Sequence, residues 1–152
     1  MHFQHTFIVA APLAEVVAFH RHPDSMSEIT PPPMVIRMQS IPSSLYEGSV
    51  IAFTLWLGPL PVAWRARIEQ ITPISFVDRQ VSGPFGRWVH LHTFLSVDRT
   101  RTQVVDRVEA DLQRHWFWRL IGLAMWSGLP MLFAYRAWRT QRLVAQHQYA
   151  DR

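Results

Sequence analysis

The sequence predicts an α+β fold, a curved antiparallel sheet of about seven strands around a long C-terminal helix, with two short helices after the first strand. Three observations carry this expectation. Between Val35 and Leu112 apolar and polar residues alternate, and turn residues interrupt the run at short intervals. From Trp116 onward the apolar spacing changes to the helical period. Only that last helical stretch is long enough to cover one apolar face of so broad a sheet.

The elements follow in order. Phe3 to Ala10 reads as a strand with Phe3, Phe7 and Val9 on one face. Pro12 suits the first turn of a helix, and Leu13, Val16, Val17 and His20 continue it to Pro23. A second short helix fits Ser25 to Ile29, capped by Asp24 or Ser25 and stopped by Pro31-Pro32-Pro33. Strands are then expected at Val35–Ser40, Ser49–Leu57, Val62–Thr72, Ser75–Ser82, Arg87–Val97 and Gln103–Leu112. Their short connections, such as Glu47-Gly48, Thr72-Pro73 and Gly83-Pro84-Phe85-Gly86, imply hairpins and hence a meander. Gly128-Leu129-Pro130 should split the C-terminal helix into one segment from about Trp116 and a longer one from Leu129, with Pro130 in its first turn. One helix cannot fill the wide end of such a sheet, so a cavity between sheet and helix is expected.

Composition narrows the function. A chain of 152 residues, 49% hydrophobic and 17% charged, fits a single domain over 1–152 and excludes a mainly disordered state. There is no cysteine, so disulfides, thiolate zinc sites and cysteine nucleophiles are excluded. All fifteen basic residues counted with lysine are arginines, which excludes Schiff-base and P-loop lysines. The arginines are scattered except Arg136, Arg139 and Arg142, which at helical spacing read as a solvated helix face or as favourable charge near a helix C-terminus, and no nucleic-acid partner is expected. Leu120 to Tyr135 is uncharged but too short for a bilayer span and interrupted by Gly128 and Pro130. Stable membrane insertion is therefore not expected, peripheral contact through Trp116 to Trp138 and a homodimer stay open, and a cytoplasmic location is expected.

Strand alternation groups the polar candidates. Asp78 and Gln80 share a face of one strand, and Trp88, His90, His92 and Phe94 share a face of the next. A hairpin symmetric about Pro84 sets Asp78 opposite His90 and Gln80 opposite Trp88, within carboxylate–imidazole reach. Asp106, between Val104 and Val108, reads as an inward carboxylate, and Trp64, Ala66 and Ile68 as an inward row. Val77, Val81, Val89, Leu91 and Leu95 make the opposite face apolar too, which leaves the facing open. The polar set is either a structural network, a device that orients a ligand, or an acid–base pair for proton abstraction beside a carbonyl, with Asp78, His90 and Asp106 as catalytic candidates. His90-Leu91-His92 has the spacing of two metal ligands, with Asp78 or Asp106 able to supply a third, but such spacing arises easily in strands. No metal and no cofactor is expected. His20 and His22 read as caps at the first helix's carbonyl end.

One resemblance spans nearly the whole chain. It is carried by Ala11-Pro12-Leu13 with Val16 and Phe19-His20, Ile29-Thr30-Pro31-Pro32, Gly48-Ser49, Leu57-Gly58-Pro59, and Trp64 with Arg67. Its most specific block is Phe76-Val77-Asp78-Arg79-Gln80, Gly83-Pro84-Phe85, Trp88, His90, His92 and Phe94, followed by Thr102, Val104, Asp106 and Val108. These residues resemble the START/SRPBCC superfamily, the helix-grip fold, and within it an uncharacterised bacterial ligand-binding group akin to polyketide cyclases. The resemblance implies a cavity for a hydrophobic ligand but no particular reaction. The expected function is non-enzymatic binding of a small hydrophobic or amphipathic ligand by Trp64, Asp78, Gln80, Trp88, His90, His92, Phe94 and Asp106. The alternative is a cyclase- or dehydratase-like enzyme using the same polar patch.

Overall fold

Alternating burial along the first strand, β1 (His2–Val9), turns Phe3, His5, Phe7 and Val9 inward and leaves the residues between them exposed. The structure, a computed structural model, describes residues 1–150, with side chains described through 146. After β1 come α1 (Leu13–Arg21), α2 (Ser25–Glu28), β2 (Val35–Ser40), β3 (Val50–Leu57) and β4 (Leu60–Thr72). Then follow β5 (Ser75–Ser82), β6 (Phe85–Asp98), β7 (Arg101–Leu112), α3 (Trp116–Ser127) and α4 (Leu129–Ala150). Pro12 takes the N-cap position of α1, one place before the expected first turn, and Asp24 takes that of α2 without a side-chain cap bond.

The seven strands form one antiparallel sheet in the order β1-β7-β6-β5-β4-β3-β2. Consecutive hairpins build β2 to β7, and β1 closes the order by pairing along β7, from His2 opposite Glu109 to Val9 opposite Thr102. The sheet bends where its ladder slips, between Arg65 and Ala66 and between Glu69 and Thr72. At the second slip Gln70 has φ 54°, and the Glu47 carboxylate accepts hydrogen bonds from the Gln70 and Ile71 amides at 3.0 and 2.9 Å. Gly58, with φ 60°, makes the tight β3–β4 turn that a Cβ would strain.

Two apolar clusters lie on the concave side. The larger joins Phe53, Trp64, Phe85 and Trp88 of the sheet to Leu129 and Phe133 of α4. Trp64 stacks on Phe53 at 5.9 Å and meets Trp88 edge-on at 5.4 Å. The smaller cluster packs Val16 of α1 and Val144 of α4 against Ile68, Phe76, Phe94 and Val104. On the other side of β5 and β6 Val77 is buried, whereas Val81 and Leu95 are exposed.

Gly128 separates α3 from α4, and the two are bent by 48°. Pro130 falls in the first turn of α4, where a missing amide leaves no helical bond unmade. Among the described residues no single helix is long and apolar enough to cross a membrane, although α3 and 129–146 together pass by length and composition. The outer side of this pair leaves Trp116, Leu120, Leu123 and Met131 exposed.

Candidate functional site

Between the concave sheet and helices α2, α3 and α4 lies a cavity of about 620 Å³. Phe53, Trp64 and Trp88 wall it from the sheet, Met125 and Leu132 from the helices, and the Pro31–Met34 segment from the rim. Its charged and imidazole side chains include a mutually contacting group, Asp78, His90 and His92, with His20 and Arg136 nearby, while His22, Ser25 and Thr30 add polar groups on the α1–α2 side.

Strand register assembles the contacting group. Asp78 of β5 stands opposite His90 of β6, and His92 of β6 opposite Asp106 of β7. Asp106 is in turn opposite His5 of β1. Alternation points all of them to the concave side, so a polar band crosses four adjacent strands. His90 Nε2 donates to Asp106 Oδ1 at 3.0 Å, and His92 Nε2 donates to Asp78 Oδ2 at 3.2 Å. The remaining nitrogens face the other carboxylate: His90 Nδ1 is 3.4 Å from Asp78 Oδ2, and His92 Nδ1 is 3.1 Å from Asp106 Oδ1. The last contact lacks hydrogen-bond alignment, and His92 Nδ1 has no other partner. The two imidazoles lie 3.7 Å apart, and Phe76 stacks on His92 at 4.3 Å.

The electrostatics are those of a paired buried cluster. Burial alone would neutralise His90, but its contacts with Asp106 and Asp78 outweigh that and push it up to about 9. Burial opposes ionisation of Asp78 and Asp106 as well, yet the histidines hold both carboxyls well below the usual carboxylate range. His20 goes the other way. Burial lowers it to about 4, against a hydrogen bond that its Nδ1 donates to the Val16 carbonyl at 2.8 Å. Burial also lowers Arg136, partly offset by the attraction of Asp106 and Asp78, and its Nε has no hydrogen-bond partner.

Of the residues expected at the site, Trp64, Asp78, Trp88, His90 and His92 line the cavity. Three do not. Gln80 is turned to its own hairpin, donating from Nε2 to the Phe85 carbonyl at 2.8 Å and accepting from the Phe85 amide at 3.3 Å. Phe94 is fully buried in the smaller cluster, against Phe76 and the His20 ring. Asp106 is buried and touches the two histidines without reaching the cavity wall.

The sequence reading missed three residues. Arg136, placed there on a solvated face, lies over the Phe133 ring at 5.3 Å on the cavity wall. His20 is a wall residue as well as a helix-end one. His5 joins the band, with its Nδ1 buried and unpartnered. Alternation with Phe3 and Phe7 could have found His5, and helical spacing from Phe133 and Thr140 could have found Arg136. Asp78, His90 and His92 each bring one donor atom within 4.8 Å of the others, a grouping able to hold a metal ion.

No protein-family profile and no curated protein matches this chain by sequence. Solved structures do match. The aromatase/cyclase Zhui from a Streptomyces species superposes with TM-score 0.75 at 16% identity, over 96% of this chain and 94% of that one. The chain has the helix-grip fold. Norcoclaurine synthase from Thalictrum, also built on this helix-grip frame, matches with TM-score 0.72 at 13% identity over 97% and 96% of the two chains. A Mycobacterium smegmatis protein matches with TM-score 0.70 at 16% identity over 93% and 89%. At these identities the likeness is one of fold.

Proposed function

We propose that the protein binds one small, largely hydrophobic molecule with a polar head in the cavity between the sheet and the C-terminal helices. The observation that carries this reading is the composition of the cavity wall, aromatic and aliphatic over most of it, with a charged group of Arg136, His90, His92 and Asp78 set into it. The apolar part of the ligand lies along Trp64, Trp88 and Phe53. Its head meets the Arg136 guanidinium, a cation whose Nε lacks a hydrogen-bond partner. An acceptor such as a carboxylate, phenolate or carbonyl oxygen suits that cation.

Native mass spectrometry of the purified protein tests the reading directly, and a co-purifying apolar molecule is the expected result. Titration with a fatty acid and with the alcohol of the same length tests the head-group assignment through Trp64 and Trp88 fluorescence. The acid should bind more tightly, and Arg136→Leu should remove the difference. Equal binding of both by the unaltered protein would refute it.

A second reading has its own observation. The His–Asp cluster opens on the cavity, so an imidazole could exchange a proton with a bound ketone. Zhui and norcoclaurine synthase are enzymes by their names. Incubation with poly-β-ketone mimics separates the two readings, since turnover abolished in His92→Gln supports the enzyme and unchanged substrate supports the binder.

A further inference from the structure

Asp78, His90 and His92 are more than a set of ion pairs. We infer that Asp78 Oδ2, His90 Nδ1 and His92 Nε2 form a three-ligand site for a divalent transition-metal ion whose remaining coordination positions open into the cavity. The inference does not depend on what fills the apolar part of that cavity.

Three features support it. The first is distance. Asp78 Oδ2 lies 3.2 Å from His92 Nε2 and 3.4 Å from His90 Nδ1. A tetrahedral ion with bonds of about 2.0–2.1 Å holds its ligands about 3.3–3.4 Å apart. One donor atom from each of the three residues lies within 4.8 Å of the others, and a modest turn of one imidazole about its soft χ2 brings the two histidine nitrogens to ligand spacing.

The second is the arrangement behind the ligands. Asp106 Oδ1 touches the far nitrogen of each histidine, His90 Nε2 at 3.0 Å and His92 Nδ1 at 3.1 Å. A carboxylate hydrogen-bonded behind a ligating imidazole fixes its tautomer and aims the other nitrogen at the metal. Asp106 does this for His90 and stands within contact distance behind His92, whose Nδ1 a small ring rotation would bring into alignment, and both free nitrogens face the same Asp78 oxygen.

The third is the donor set and its surroundings. Two imidazoles and one carboxylate suit zinc or iron(II), and a site with three protein ligands leaves room for a further one. Asp78, His90 and His92 all lie on the cavity wall, so that position faces the bound molecule. The carboxylates of Asp78 and Asp106 call for positive charge beside them, and a divalent ion supplies it while the imidazoles stay neutral. An oxygen of the cavity's ligand would complete the coordination, next to Arg136.

Tag-free protein stripped with a chelator and titrated with cobalt(II) tests this. The expected result is a visible absorption band that saturates at one equivalent per chain and is displaced by zinc. Asp78→Ala should abolish the band, His22→Ala should leave it unchanged, and Asp106→Asn should weaken binding by about 10- to 100-fold at the same stoichiometry. No band in the folded wild type, or an unchanged band in Asp78→Ala, would overturn the inference. Should Asp78→Ala fail to fold, proton NMR of the wild type decides. Cobalt must shift the His90 and His92 imidazole signals at the first equivalent, and shifts confined to His2, His22 or His115 would refute the site.

Discussion

Asp106 of β7 accepts a hydrogen bond from His90 Nε2 of β6 at 3.0 Å, and both side chains are almost sealed from solvent. Neither could be buried in charged form alone. Removing one member of such a pair leaves the other charge uncompensated, at a cost of about 3–5 kcal/mol. Asp106→Ala should therefore destabilise the protein strongly in urea unfolding. Asp78 is more open, with a side chain 24% exposed at the cavity wall. Asp78→Asn should lower the unfolding midpoint less than Asp106→Ala does and weaken ligand binding measured by tryptophan fluorescence. The reverse pattern would show that the network only holds the sheet together.

Stability of the metal-free protein should peak near neutral pH. His90, faced by Asp78, Asp106, His92 and Arg136, is pushed up to about 9 from 6.5. Its contribution is complete below about pH 6.5 and is lost as pH rises through about 9. His20, near Asp106, His92 and Arg136, is lowered to about 4, so its contribution is present above about pH 6.5 and is lost as pH falls towards 4. Asp78 and Asp106 add a further loss only below the ordinary carboxylate value of 3.8. Urea midpoints between pH 4 and 9.5 should rise and then fall, and His20→Gln should flatten the acid limb. A continuous rise to pH 9 would contradict the His90 assignment.

Phe94 and Trp88 were expected to act alike and should not. Phe94 is core, so Phe94→Ala should cost about 3–5 kcal/mol and leave the ligand affinity of the folded protein intact. Trp88 lines the cavity, and Trp88→Phe should alter affinity more than stability. Calorimetry with one fatty acid, run on both variants, distinguishes them.

Gly86 offers a test of the β6–β7 ladder. A Cβ there would stand 2.9 Å from the Leu112 carbonyl oxygen, a backbone atom that cannot swing aside. Gly86→Ala should lower the melting temperature by several degrees, a shift that corresponds to about 1 kcal/mol or more in a chain of this size.

Much of this molecule was legible because local rules and global fold agree. The two-residue period and the turn residues located every strand of the sheet, and β2 and β5 lie where they were expected. Pro130 and Gly128 marked the helix break for purely local reasons. The opposition of Asp78 and His90 was readable because their hairpin is symmetric. Gln80 escaped the same logic, since the Phe85 backbone lies within reach of its side chain and captures it. Arg136 escaped it because a helix shows which residues share a face, not how deep that face sits against the sheet. His5 was passed over beside two phenylalanines, although it shares their inward side.

The cavity also makes molar volume an observable. Space that protein atoms do not fill disappears on unfolding, so pressure favours the unfolded chain to a degree that scales with the voids of the folded one. A bound apolar molecule would occupy part of the cavity of about 620 Å³ lined by Trp64, Trp88 and Leu132. The empty protein should therefore unfold at lower pressure than the loaded one, and with a larger change in volume. High-pressure fluorescence would then report how full the protein is without any knowledge of what fills it.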